Sequence, residues 1–89
     1  MSLQQLRYFV TVAEEEHVTR AAERLHVSQP PLSRQIRALE DELGHALFER
    51  RGRGVVLTDY GRHFAERATA ILRQVDDVLA EARARPVPG

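Results

Sequence analysis

Gln29, Pro30, Pro31, Ser33 and Arg34 fall within six consecutive positions of this 89-residue chain. The chemistry they offer is recognition. A glutamine amide and an arginine guanidinium each hold paired hydrogen-bonding groups in one plane, which matches adenine N6/N7 and guanine O6/N7 respectively. The rings of Pro30 and Pro31 offer apolar contact of the kind a thymine methyl accepts.

Such groups work together only if a rigid element presents them on one side. Residues 19–43, TRAAERLHVSQPPLSRQIRALEDEL, supply that element. Residues 20–25 form a short helical run in which Ala21 and Ala22 permit close packing, and His26-Val27-Ser28 breaks it. A second helix then opens on the proline pair, because first-turn N–H groups have no intrahelical partner to lose. Short helix, tight turn and longer helix are the parts of a helix-turn-helix, whose second helix meets a DNA major groove with its N-terminal residues leading. At 100° per residue, Leu32, Ile36, Leu39 and Leu43 make one apolar stripe. Pro30, Ser33, Arg34 and Arg37 occupy the opposite arc, with Gln29 at its leading end. The far end is acidic at Glu40-Asp41-Glu42, which phosphates would repel. Only the N-terminal half suits a polyanion.

The length allows one small domain, or less than one plus an extension. A hydrophobic content of 43% excludes a disordered chain, and no apolar run is long enough to span a bilayer. The chain begins without a signal-peptide pattern and contains no cysteine, which together favour a cytosolic protein without disulfides or thiolate metal sites. The net charge is zero, but its distribution is uneven. Residues 17–37 carry Arg20, Arg24, Arg34 and Arg37 against Glu23 alone, and residues 49–53 carry Arg50, Arg51 and Arg53 against Glu49. Two basic patches on a neutral body indicate local docking. All thirteen basic residues are arginine, which suits bidentate contacts. An enzyme has little support, since there is neither a Gly-rich phosphate loop nor a nucleophile elbow. His17, His26, His45 and His63 lack ligand spacing, so neither metal nor cofactor is expected. A purely structural dimerisation module is the other alternative, with the basic patches as solvated faces.

Ser2 and Gln5 have capping-box spacing, so the first helix should start at Leu3 and run to about Glu15. Leu3, Leu6, Val10 and Ala13, with Phe9 beside them, form its expected apolar stripe. Thr19 is a better chemical cap than His17 for the next helix, and Gly44 suits the end of a third helix spanning residues 30–43. Residues 46–49 and 55–57 are β-prone and flank Arg50-Arg51-Gly52-Arg53-Gly54, a thin cationic turn fit to lie along a backbone or enter a minor groove. Thr58 should cap a last helix running to about Arg85. Such a helix is a rod of about 40 Å, too long for so small a domain to cover. Phe64, Ala68, Ile71, Val75, Val78 and Ala82 recur along it in steps of three and four, widened by Leu72 and Leu79. That seam predicts pairing with a second copy, the alternative being a helix folded back as a fourth core helix.

The chain resembles the N-terminal DNA-binding region of LysR-type transcriptional regulators over residues 2–85. The resemblance rests on residues 6–10, 21–30 and 32–36, then Leu39-Glu40, Leu43-Gly44, residues 47–50, Arg53, Leu57-Thr58 and Gly61. It implies a mainly α fold: a winged helix-turn-helix of three helices plus a two-stranded wing over residues 1–58. A dimerising linker helix over residues 59–85 would follow, with 86–89 starting an interdomain linker. Base contacts would fall on Gln29, Pro30, Pro31, Ser33 and Arg34, and the wing's minor-groove contact on Arg53. Phosphate contacts would fall on Thr19, Ser28, Arg37, Arg50 and Arg51. The implied partners are an interrupted-palindrome promoter duplex and a second copy of the chain, with tetramers open to the full-length protein. A small-molecule inducer would act through a C-terminal effector domain outside this sequence. Two departures stand out. Glu16-His17 replaces the Gly–Ser/Asn pair of many members, and Pro31 replaces a common alanine, as in members controlling aromatic-compound catabolism.

Overall fold

The computed structural model describes residues 1–85, so the linker expected at 86–89 lies outside the described residues. Its elements are α1 (Leu3–Glu15), α2 (Val18–Leu25), α3 (Gln29–Leu43), β1 (Phe48–Arg51), β2 (Gly54–Leu57) and α4 (Asp59–Ala84).

The first three helices pack on a core of Leu6, Phe9, Val12, Ala21, Ala22, Leu32, Ile36, Leu39 and Leu47. On α3 the apolar stripe falls where its periodicity places it. On α1 it does not: Leu3 is exposed, Val10 and Ala13 are half-buried, and the fully covered residues are Leu6, Phe9 and Val12. Thr11 joins the buried side because its hydroxyl donates to the Arg7 carbonyl at 2.8 Å, which satisfies that group. The expected stripe missed this rotation because α1 is covered on more than one side, by α2, α3 and α4.

The corner between α1 and α2 also differs from expectation. His17, rather than Thr19, is the N-cap, its Nδ1 accepting from the Arg20 N–H at 3.4 Å. Thr19 already lies inside the helix. Glu16 takes a left-handed conformation with φ 54°, which explains why a glycine would be at home there.

The hairpin is antiparallel, pairing Phe48 with Leu57, Glu49 with Val56, Arg50 with Val55 and Arg51 with Gly54. Gly52-Arg53 is therefore a two-residue turn, with φ 59° at Gly52 where such turns favour glycine. Arg50 and Arg51, expected in the turn, belong to β1 instead. Ala46-Leu47, expected in the strand, serves as an anchor. Leu47 is fully buried, its N–H donates to Glu40 Oε2 at 2.7 Å, and its carbonyl accepts from the Thr58 N–H at 3.0 Å.

Thr58 caps α4, accepting from the Gly61 N–H at 2.9 Å while donating its hydroxyl to the Ala46 carbonyl at 2.8 Å. Gly61 lies so close to the Leu47 carbonyl that a Cβ would overlap it. Beyond it Phe64 stacks edge-on against Phe9, with centroids 5.2 Å apart, and Ala68 and Leu72 are buried at 2% and 8% exposure. Phe64, Ala68 and Leu72 must therefore leave the expected dimer seam, because they cover the domain's own core. The rest of α4 projects past the body, which gives the molecule a long axis of 56 Å against 25 and 19 Å.

Candidate nucleic-acid interface

Because Leu32, Ile36 and Leu39 fasten α3 to the core, the other side of its first two turns is held outward. Gln29, Pro30, Pro31, Arg34 and Arg37 are exposed there, and Ser33 is half-buried among them. The proline pair changes what this helix start can do. Positions 30 and 31 have no N–H, and the Leu32 N–H is returned to the Ser28 carbonyl. A helix start normally offers several free N–H groups to a phosphate. This one has lost most of them and presents rings and side chains instead. Ser28 stands at the N-cap without making a side-chain cap bond, so its hydroxyl remains available to an outside acceptor.

Gln5 has a role that the sequence did not disclose. Buried on α1, its Nε2 donates to the Gln35 carbonyl at 3.1 Å and to Gln35 Oε1 at 3.3 Å. These bonds fix α3 beside Arg34. Its recognisable signal is a polar residue next to Leu6 on an otherwise apolar face. Glu40 was also misread when grouped with a repulsive acidic end. Its carboxylate accepts from the Leu47 and Phe48 N–H groups, at 2.7 and 3.3 Å, and so joins the helix end to the hairpin.

The hairpin's arginines divide between its two faces, as strand alternation requires. Arg50 shares a cleft of about 220 Å³ with Ser33, Arg37, Glu40 and Phe48, so α3 and the hairpin converge there. Arg51 lines a different recess, with Ala13, Val56 and Arg62. Arg53 occupies the exposed turn. The structure thus groups Ser33, Arg37 and Arg50 and leaves Arg51 on the other side of the hairpin. Gly54 seats the hairpin on the α1–α2 corner. A Cβ there would stand 2.5 Å from the Glu16 carbonyl, which also accepts from the Val55 N–H at 3.0 Å.

Charge pairing separates the arginines further. Among the described residues, Arg34, Arg37, Arg50, Arg51 and Arg53 have no carboxylate within ion-pair distance, whereas Arg7, Arg24 and Arg62 do. Arg24 meets Glu14 at 2.9 Å and Glu15 at 3.2 Å, and these partners, Glu14 foremost, raise its pKa above the ordinary value. Arg24 therefore drops out of the basic patch to which the sequence assigned it. Among the described residues no cluster of histidine and carboxylate is placed to hold a metal, and no helix is long and apolar enough to cross a membrane.

The family model for bacterial regulatory helix-turn-helix proteins of the lysR family matches residues 3–62. The chain belongs to that family. Among similar proteins, the HTH-type transcriptional regulator BudR of Klebsiella aerogenes is 55% identical over 83 residues, covering 93% of this chain and 58% of BudR. ClcR of Pseudomonas putida is 51% identical over 84 residues, 94% of this chain but 29% of ClcR. The chain therefore spans little more than half of the first relative and under a third of the second. A crystal structure of the BenM DNA-binding domain with benA site 1 DNA superposes with a TM-score of 0.88 at 47% identity, covering 93% of each chain. The CbnR DNA-binding domain, crystallised with DNA, gives 0.86 at 48% identity, covering 94% of this chain and 97% of that one. The lysR-family fold here is a winged helix-turn-helix, with the hairpin as its wing, followed by a long helix.

Proposed function

We propose that this chain is the sequence-specific DNA-binding part of a dimeric transcription regulator. Residues 1–58 form the reading domain and 59–85 the helix that joins two copies. Full-length partners and an inducer would act through segments outside this sequence, and Pro31, by its resemblance to members controlling aromatic-compound catabolism, favours that class of genes. One observation carries the reading: the exposed start of α3, with Arg34 and Arg37, lies beside a wing carrying Arg50 and Arg53, and among the described residues none of these four arginines has a carboxylate partner. Arg34 and Gln29 address base edges, with Pro30, Pro31 and Ser33 beside them. Ser28, Arg37 and Arg50 contact phosphates, and Arg53 enters a flanking minor groove. Arg51 is the weakest member of the phosphate set, because it faces away from α3.

Selection from a random DNA pool, followed by anisotropy titration at several salt concentrations, tests this. A selected site should bind at least about a thousandfold tighter than random DNA. Arg34→Ala should weaken the selected site by roughly 1–3 kcal/mol and flatten preference at one base pair. Arg53→Ala should lower the salt dependence by about one to two phosphate equivalents per dimer and erase any preference for A·T-rich flanks. Equal affinity for selected and random DNA would leave only a dimerisation module.

A further inference from the structure

Thr19 and Gln29 lie ten positions apart, on α2 and at the first residue of α3. The Thr19 hydroxyl donates to Gln29 Oε1 at 3.0 Å across the turn between the two helices. Both side chains are exposed, so burial does not force them together. From this bond we infer that Thr19 is a positioning residue for base reading, and that it makes Gln29 a donor-led reader. The inference rests on the DNA-reading role of α3.

The first step is proton counting. A threonine hydroxyl has one hydrogen to donate. Phosphate oxygens only accept, so a hydroxyl whose hydrogen is held by Gln29 has none for a phosphate. Thr19 therefore leaves the phosphate set in which the family resemblance placed it. Ser28 differs in this respect, since its hydroxyl makes no cap bond.

The second step concerns Gln29 itself. A free glutamine side chain has many rotamers, can turn its amide either way, and loses much freedom when a base fixes it. Here Oε1 is turned toward α2 and one of its lone pairs is taken. The amide nitrogen, on the other branch of the same planar group, then points away from α2 with both hydrogens free. Gln29 leads with donors. In the major groove those donors meet purine N7, guanine O6 or thymine O4, and they oppose the donor-bearing N4 edge of cytosine. Two-sided pairing with adenine has to use the remaining Oε1 lone pair, so the bond to Thr19 narrows the directions from which adenine N6 can be met. The preference at this base pair is thus for an acceptor edge rather than for adenine alone.

The test has one arm without DNA and one with it. In the free protein, ¹⁵N relaxation of the Gln29 side-chain NH₂ should show restricted motion in wild type and Thr19→Ser, and free motion in Thr19→Val. An amide equally mobile in all three overturns the hydrogen bond. With DNA, the base pair facing Gln29 is located on a selected site as the one whose preference Gln29→Ala abolishes. Thr19→Val should then lose roughly fivefold on that site, the scale of one net hydrogen bond, and flatten preference at that pair alone. Its affinity for random DNA and its salt slope should stay at wild-type values, and Thr19→Ser should restore the preference. Equal losses on selected and random DNA would make Thr19 a phosphate contact, and no loss at all would remove it from reading. A wild-type chain that selects no site defeats the DNA reading and the specificity role together, while the amide measurement still decides the bond.

Discussion

From Gly61 to Leu72, α4 lies against the winged body, and Gly61, Ala68 and Leu72 are buried. From Arg73 to Ala84 only Val75 is even half-covered, while Val78 and Leu79 stand 63% and 46% exposed. Both halves carry the same apolar rhythm. An apolar period specifies that a face will be covered, without naming what covers it. Ile71 and Leu72 show the division at its sharpest: neighbours in sequence, they lie about 100° apart on the helix. Leu72 is inside the core and Ile71 is 42% exposed. The inner stripe serves this chain, and the outer stripe of Ile71, Val75, Val78, Leu79 and Ala82 is the part we propose for a second copy.

Substitutions in the two halves should therefore act on different equilibria. The largest effect belongs to the inner half. Phe64→Ala removes a half-buried ring packed on Phe9 and should lower unfolding free energy by about 3 kcal/mol, the low end for a core aromatic, in urea titration. If the loss depends strongly on protein concentration, Phe64 belongs to the outer stripe after all. Val78→Asp should leave the fold intact and raise the dimer dissociation constant at least about tenfold, or ~1.4 kcal/mol, by sedimentation. A dimer unaffected by that charge would mean that pairing uses another surface. Thr58→Ala should cost about 1–2 kcal/mol by loosening the root of the helix, with no direct effect on dimer contacts. The smallest change is a gain remote from both halves. Glu16→Gly relieves a left-handed residue and should stabilise by up to about 1 kcal/mol, leaving self-association unchanged.

Much of the fold could be read from single residues because local chemistry decided it. Ser2, Thr58 and Gly44 act at helix ends through bonds within three or four residues of themselves. The α3 stripe was legible because one side of that helix alone is buried. The misassignments share a different cause: the deciding partner is distant in sequence. Glu40 is explained by the strand it holds, Gln5 by Gln35, and Leu72 by a core assembled from α1. His17 is the exception, a local cap obscured by a residue type that caps less often than threonine. For the site, the exposed start of α3 was legible, and the division of Arg50 from Arg51 was not. Strand register sets that division, and register depended on a turn two residues long.

The seat of the wing on the Glu16 carbonyl has a mechanical consequence. Gly54 admits no side chain between hairpin and corner, and the Val55 hydrogen bond pins the contact at its centre. Recognition helix and wing are thereby set at one gauge, as the jaws of a locked calliper are. In the proposed complex, a duplex contacted by both would have to match that gauge, and where its relaxed groove spacing differs, the DNA would bend or narrow. Flexible steps yield easily and stiff tracts resist. Base pairs that neither jaw touches would then still be discriminated, by their stiffness.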